Sequence, residues 1–175
     1  TMFESIVIAY DGSAHAGKAL EIGATLAARD KASLGIIYAI DVEHMQLPVE
    51  LRNMAEVEHI IDAGPSFQVD MKGAPLNLTN TMAQTSAESE KAMLQFADYL
   101  VQQAHDSASA SGVEEIDSRA VLGDPAEEVV EYARGRNADL IVCGSRGFGR
   151  LKSLLLGSTS HKIAQLAECS CLTIR

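Results

Sequence analysis

Residues 138–147 read Ala-Asp-Leu-Ile-Val-Cys-Gly-Ser-Arg-Gly, and after nine more residues the chain continues with Gly157-Ser158. The apolar run over 139–143 predicts a strand, and a helical pattern begins near Ser158. Glycines at the end of a strand allow a sharp turn and a close approach of the backbone to a ligand. The N–H groups at the start of the next helix, together with the helix dipole, favour an anion there. The stretch therefore predicts a strand–loop–helix unit with a phosphate site.

The charges around this loop agree with an anionic ligand. No Asp or Glu occurs over 140–167, whereas Arg146, Arg150, Lys152 and Lys162 contribute +4. The whole chain has a net charge of −10, which leaves −14 for the remainder. A cationic Gly/Ser loop in an acidic protein indicates a phosphate site, with Arg146 and Arg150 as candidate phosphate ligands.

Two familiar phosphate loops are excluded by the order of residues. Gly149 is followed by Arg150-Leu151 and not by Lys-Ser/Thr, so the loop is not a Walker A motif. The order G-x-x-G-x-G, with little chain beyond it, also differs from the dinucleotide fingerprint at a first strand–helix turn. Composition and spacing alone leave open a glycine-rich surface loop that binds nothing.

Bulk composition predicts one cytoplasmic domain over residues 1–175. The chain is 47% apolar and 22% charged, with no apolar run near the ~18 residues that span a bilayer. Three sparse cysteines and no signal-peptide pattern indicate a reducing compartment. The charge of −10 and an aromatic content of 5% argue against nucleic-acid partners and anionic membrane surfaces.

Strand and helix patterns alternate along the chain, which predicts crossover connections and a parallel sheet. Predicted strands cover 5–10, 34–40, 116–122, 139–143 and 171–174, and predicted helices cover 13–29, 87–108, 124–136 and 158–167. The expected fold is a doubly wound α/β sheet of five mostly parallel strands, Rossmann-like, with helices on both faces. Ligands of such sheets bind beyond the carboxyl ends of the strands. Asp11, Asp41 and Gly144 are expected together on that rim.

Residues 43–86 form an insert between the second strand and its helix. A structureless connection of this length is uncommon in a compact domain. Periodic Met54, Val57 and Ile61 indicate a helix over 48–63, and the Gly-, Pro- and Ser-rich stretch 64–86 is expected to be a mobile loop.

Several matched positions together resemble the universal stress protein family. They are Tyr10-Asp-Gly-Ser13, Gly123-Asp-Pro125, residues 138–147 and Leu156-Gly-Ser158. The resemblance covers residues 2–42 and about 88–175, and the pattern G-x2-G-x9-G-(S/T) is complete. In that family the pattern marks the ATP-binding members, whose fold is like that of the adenine nucleotide alpha hydrolases. The resemblance therefore implies that this chain binds ATP, or ADP or AMP.

The same resemblance implies a role for each matched residue. Asp11 would lie beside the nucleoside and reach the ribose or a Mg²⁺ ion that arrives with the phosphates, although it is also a common turn residue. The main chain at Ile40 and Asp41 would contact the adenine edge. The remaining positions would line the ribose and phosphates: Gly144, Arg146, Gly147, Gly157, Ser158 and Thr159.

The family also implies a homodimer formed through the C-terminal strand, which is otherwise an exposed edge at 172–174. Many members carry a proline before that strand, where this chain reads Cys169-Ser-Cys171. The implied function is a nucleotide-responsive regulator in the stress response. A slow ATP hydrolase remains open, although no base is evident. So does a nucleotide-free interaction module whose partner binds the insert over 43–86.

Some reactive side chains receive plainer interpretations. Cys143, Cys169 and Cys171 lack a matched fourth ligand for a metal, which favours small buried apolar groups. His15 and His161 lie in first turns of predicted helices and are expected to face solvent, with contact between His15 and the nucleotide, or between His161 and phosphate, as the alternative.

Overall fold

The computed structural model describes residues 1–41, 82–147 and 157–175, and within 82–92 it describes the backbone only. In chain order the elements are β1 (Ser5–Ala9), α1 (Ala14–Asp30), β2 (Ser33–Ile40), α2 (Met82–Ala110), β3 (Ile116–Leu122), α3 (Pro125–Gly135), β4 (Leu140–Gly144), α4 (Ser158–Leu166) and β5 (Ser170–Ile174).

The five strands form one sheet in the order β3-β2-β1-β4-β5, and all four pairings are parallel. The chain builds β1, β2 and β3 in one direction and then returns to place β4 on the other side of β1. This reversal creates a topological switch point between β1 and β4. The predicted doubly wound parallel sheet is confirmed.

Side-chain alternation in the central strands supplies a core on each face of the sheet. Ile6 and Ile8 face a cluster that α1 and α2 cover, whereas Val7 faces a second cluster that α3 and α4 cover. All three side chains are fully buried. Because a parallel central strand is covered on both faces, β1 is apolar at consecutive positions and not at alternate ones.

The helices begin where the cap residues predict. Ser13 accepts a hydrogen bond from the Ala16 amide, and Asp124 accepts from the amides of Ala126 and Glu127. Pro125 occupies the first position of α3, where its missing N–H costs nothing. These caps fix the ends of α1 and α3 nearest the carboxyl rim of the sheet.

One predicted boundary is wrong. Residues 82–86, interpreted as the end of a mobile loop, belong to α2, so the insert predicted over 43–86 is shorter at its C-terminal end. No Gly or Pro occurs between Met82 and Gly112, and the Ser/Thr content that suggested a loop does not stop a helix. The helix predicted over 48–63 and the remainder of the loop lie outside the described residues.

Candidate functional site

Two chain segments meet at the carboxyl rim, at the switch point between β1 and β4. Ala9 of β1 pairs with Cys143 of β4, so the residues that follow each strand leave the sheet side by side. The Ser13 hydroxyl donates a 3.4 Å hydrogen bond to the Arg146 carbonyl oxygen and joins the two segments directly. The structure thus brings Asp11 and the 144–147 loop to one crevice, at the position where doubly wound sheets bind ligands.

Asp11 lies in a tight turn between β1 and α1. Its Oδ1 accepts a 2.9 Å hydrogen bond from the Ser13 amide, and Gly12 between them adopts a φ of +81°, a conformation that favours glycine. Burial raises the pKa of Asp11, while the hydrogen bonds from Ser13 and the nearby His15 oppose that shift. The carboxylate is therefore held in place but poorly solvated, and a nearby cation would stabilise its charge.

The charge on Asp11 affects the pKa values of two tyrosines. Burial raises the pKa of Tyr38 to about 12, with a further contribution from the charge on Asp11. The pKa of Tyr10 is raised by the same two causes in the same order. Burial of all three groups lowers the local dielectric, which strengthens the interactions of Asp11 with charge.

Gly147 lies directly against Asp11. A Cβ placed on Gly147 would overlap the Asp11 Oδ2 atom, so this backbone approach is possible only without a side chain. Gly144 is similarly tight, because its Cβ would lie 2.8 Å from the Cβ of His15 and 2.9 Å from the Ala16 amide nitrogen. The glycines of the motif are therefore required by packing within the crevice.

The N-terminus of α4 completes the crevice wall. Gly157 is its N-cap residue and supplies no side-chain cap, and no acidic residue lies in the first turn. The Gly157 amide donates a 2.7 Å hydrogen bond to the Ser145 carbonyl oxygen, which holds α4 against the end of β4. Ser158 and Thr159 are exposed in the first turn, available to an anion that the helix dipole favours.

Ile40 and Asp41 end β2, the strand next to β1 on the same rim. Both are half-buried. The Ile40 carbonyl oxygen accepts a 2.9 Å hydrogen bond from the Gly123 amide, which leaves it one lone pair for a further donor. These two residues therefore lie one strand away from Asp11 along the rim.

One cation of the predicted basic loop points elsewhere. The Lys162 Nζ atom forms ion pairs of 3.0 Å with Asp124 and 2.9 Å with Glu127, at the start of α3. Lys162 contributes to the positive charge counted over 140–167, but the acidic residues at the start of α3 pair with that charge. Arg150 and Lys152 lie outside the described residues. Arg146 is half-buried, and its side chain lines a recess together with His15.

The sequence profile of the universal stress protein family matches residues 2–175, almost the whole chain. The chain belongs to the universal stress protein family.

Relatives and solved structures of universal stress proteins agree with this membership. The chain is 30% identical to universal stress protein YxiE of Bacillus subtilis (strain 168) over 175 residues, covering 99% of this chain and all of the relative. A universal stress protein solved in complex with cAMP superposes with a TM-score of 0.61 at 23% identity, covering 100% of this chain and 99% of that one. The Archaeoglobus fulgidus universal stress protein solved in complex with dAMP gives a TM-score of 0.57 at 14% identity, covering both chains fully. At these identities the solved structures show a shared fold.

Sequence reasoning about this universal stress protein missed two residues that shape the crevice. Ser160 is buried, and its hydroxyl donates to the carbonyl oxygens of Ser145 at 3.3 Å and Gly157 at 3.0 Å. Its position three residues after the N-cap was the available signal. Tyr38 lies in an otherwise apolar strand pattern, and nothing in that pattern places its ring near Asp11.

His15 was expected to face solvent, but it is half-buried against the end of β4. The first turn of α1 packs on Gly144, with the Cβ atom and backbone of His15 closest to this glycine. His161 is exposed, as predicted.

The cysteines behave as small apolar groups in this universal stress protein. Cys143 is buried, while Cys169 and Cys171 are half-buried and pack against the cluster beneath α3 and α4. Burial is the main cause that raises the pKa of all three thiols, that of Cys171 to about 11. Within residues 1–41, 82–147 and 157–175 no three His, Cys, Asp or Glu side chains gather into a metal site. Over the same ranges, no helix combines the length and apolar character needed to cross a bilayer.

Proposed function

We propose that this universal stress protein binds an adenine nucleotide (ATP, ADP or AMP) in the crevice between the ends of β1 and β4. The observation that carries the proposal is the contact of Gly147 with Asp11 beside the N-terminus of α4. A carboxylate suits a ribose hydroxyl, and the free amides of an uncapped helix start suit phosphate oxygens. The solved family members with cAMP and dAMP support adenine as the base.

The residues divide into three roles along the crevice. Asp11 contacts the ribose, and the main chain of Ile40 and Asp41 contacts the adenine edge, one strand away. The phosphates lie over the loop and the first turn of α4, on Gly144, Arg146, Gly147, Gly157, Ser158 and Thr159.

A Mg²⁺ ion would arrive with the phosphates. Magnesium retains several waters and needs only one or two carboxylates from the protein, so Asp11 alone fits that requirement. Its raised pKa agrees with a carboxylate that gains a cation when the ligand binds.

The proposed role is regulatory: a cytoplasmic homodimer whose nucleotide state controls partner binding during stress. β5 occupies one edge of the described sheet, and Cys171 to Ile174 are only half-buried, so a second copy pairing with this edge would cover it. Segment 43–86 is the proposed protein-partner surface. Hydrolysis of ATP, if it occurs, is slow, because phosphoryl transfer needs a positioned base.

The test begins with freshly purified protein, which is denatured so that released small molecules are identified by chromatography and mass spectrometry. A near-stoichiometric adenine nucleotide supports the proposal. Protein that releases none is titrated calorimetrically with ATP and Mg²⁺, beside Asp11→Ala. If millimolar ATP binds neither protein, nucleotide binding is refuted and a nucleotide-free interaction module becomes the better description.

The same samples separate regulation from catalysis. Phosphate release is followed at saturating ATP. Turnover near 1 per second that Asp11→Ala abolishes would make the protein an enzyme and contradict the regulatory role. Turnover orders of magnitude slower is the expected result.

A further inference from the structure

A recess lies on the α1 side of the 144–147 loop, at the ends of β4 and β5. The Ser145 amide donates a 2.6 Å hydrogen bond to the Ile174 carbonyl oxygen, which holds these two strand ends together. Gly144 packs on His15 in the first turn of α1. The recess between these three elements has a volume of about 200 Å³.

Its lining is basic. Among the described residues, the recess is lined by His15, Ser145, Arg146 and Arg175, of which two are arginines. None of these described residues is acidic, and the first turn of α1 contains no acidic residue. Lys18 adds a further cation, since its Nζ atom lies 3.4 Å from the Arg175 carbonyl oxygen. In a chain with a net charge of −10, such a local concentration of cations indicates an anion site.

The recess is distinct from the start of α4. α1 packs on the cluster that contains Ile8, whereas α4 packs through Ile163 on the opposite face of the sheet. Arg146 lies between the two, because its Cα atom would be 3.7 Å from a Cβ on Gly157 while the residue also lines the recess. The recess and the start of α4 therefore flank one loop from opposite faces.

The volume of the recess limits the size of the ligand that it can bind. Pockets for whole drug-sized ligands have volumes of roughly 300–1,000 Å³, which exceeds this recess. A single phosphate group is small enough, and guanidinium groups bind its oxygens in pairs. We propose that the recess formed by His15, Arg146 and Arg175 binds a phosphate group. This group is either free inorganic phosphate or the outermost phosphate of a nucleotide held in the neighbouring crevice.

The experiment is an NMR titration of the ¹⁵N-labelled full chain with inorganic phosphate at constant ionic strength. Saturable shifts of the His15, Ser145 and Arg146 amides are expected. Arg175→Gln should weaken this binding about tenfold, the effect of one lost charge-assisted hydrogen bond. Arg134→Gln is the matched control, because it removes the same charge from a half-exposed side chain on α3.

The control should bind phosphate within twofold of the unaltered protein. Shifts that do not saturate, or an equal loss in Arg175→Gln and Arg134→Gln, would overturn the site. Unaltered spectra of the free variants elsewhere in the chain exclude unfolding as the cause of a loss.

Saturating ATP distinguishes the two sources of the phosphate. If ATP abolishes the phosphate shifts and AMP does not, the recess takes the outermost phosphate of the nucleotide. If phosphate still binds beside ATP, its ligand is the free ion. Ser158→Ala removes only an exposed hydroxyl at the start of α4. It should weaken ATP binding and keep phosphate binding in the recess, so this inference and the proposed nucleotide site fail separately.

Discussion

The amide of Gly157 donates a 2.7 Å hydrogen bond to the carbonyl oxygen of Ser145. This bond joins the residue after β4 to the N-cap residue of α4, although eleven residues separate the two in the chain. The same oxygen also accepts from the Ser160 hydroxyl at 3.3 Å. One carbonyl group thus fixes where the start of α4 lies relative to the strand ends.

Gly147→Ala should weaken nucleotide binding by at least about tenfold, the effect of one displaced charge-assisted contact. The new Cβ would overlap the Asp11 Oδ2 atom and force the carboxylate or the loop to move. Gly17→Ala is the control, because nothing lies within 4 Å of its Cβ and Ala in a helix is more stable by about 0.5–1 kcal/mol. Calorimetric titration with ATP measures the affinity, and equal affinities in the two variants would argue against contact between ligand and Asp11.

Asp11→Asn should lose nucleotide affinity but retain or gain thermal stability at pH 7. Because burial raises the pKa of Asp11, the folded state holds the proton more tightly than the unfolded chain does. Stability of the unaltered protein therefore falls, relative to the variant, as pH rises from the unfolded value of 3.8 through the raised pKa. Melting temperatures of both proteins across pH 3–8 test this. A difference that grows in the opposite direction would show that the ionised carboxylate stabilises the turn.

Ser160→Ala should reduce stability, whereas Ser158→Ala should reduce affinity for ATP. Ser160 is buried and bonded to two carbonyl oxygens, so its loss should lower the free energy of unfolding by about 1 kcal/mol. Ser158 is exposed, so its loss should change stability by less than about 0.5 kcal/mol while reducing affinity for ATP. Urea denaturation and calorimetry on both variants measure the two quantities. Ser158→Ala with full affinity would remove its hydroxyl from the proposed phosphate contacts.

Lys162→Gln should leave nucleotide affinity within twofold, because the ammonium group is paired with Asp124 and Glu127 on α3. The pair is half-exposed, so the melting temperature should also change little. A large loss of ATP affinity would instead mean that Lys162 leaves its partners to bind phosphate. Glutamine retains most of the side-chain length, which limits the change to the charge.

Much of the fold was predictable because its signals are local. Consecutive apolar residues such as Ile6 to Ile8 indicate a strand covered on both faces. The four residues Asp124 to Glu127, which combine a cap, a proline and an acid, indicate the start of a helix. The boundary of α2 was misplaced for the same reason. Ser and Thr are weak loop signals, and without Gly or Pro they do not stop this 29-residue helix.

The candidate site was predictable only in part. The sequence by itself determined the order of strands and helices, the strand ends that carry Asp11 and Gly144, and the glycines that follow β4 and precede α4. Tertiary structure decided that Lys162 of α4 pairs with Asp124 and Glu127 at the start of α3, that Ser160 is buried, and that His15 lines a recess with Arg175. These relationships join residues 15 to 160 positions apart, and periodicity carries no information about which side chains meet across such separations.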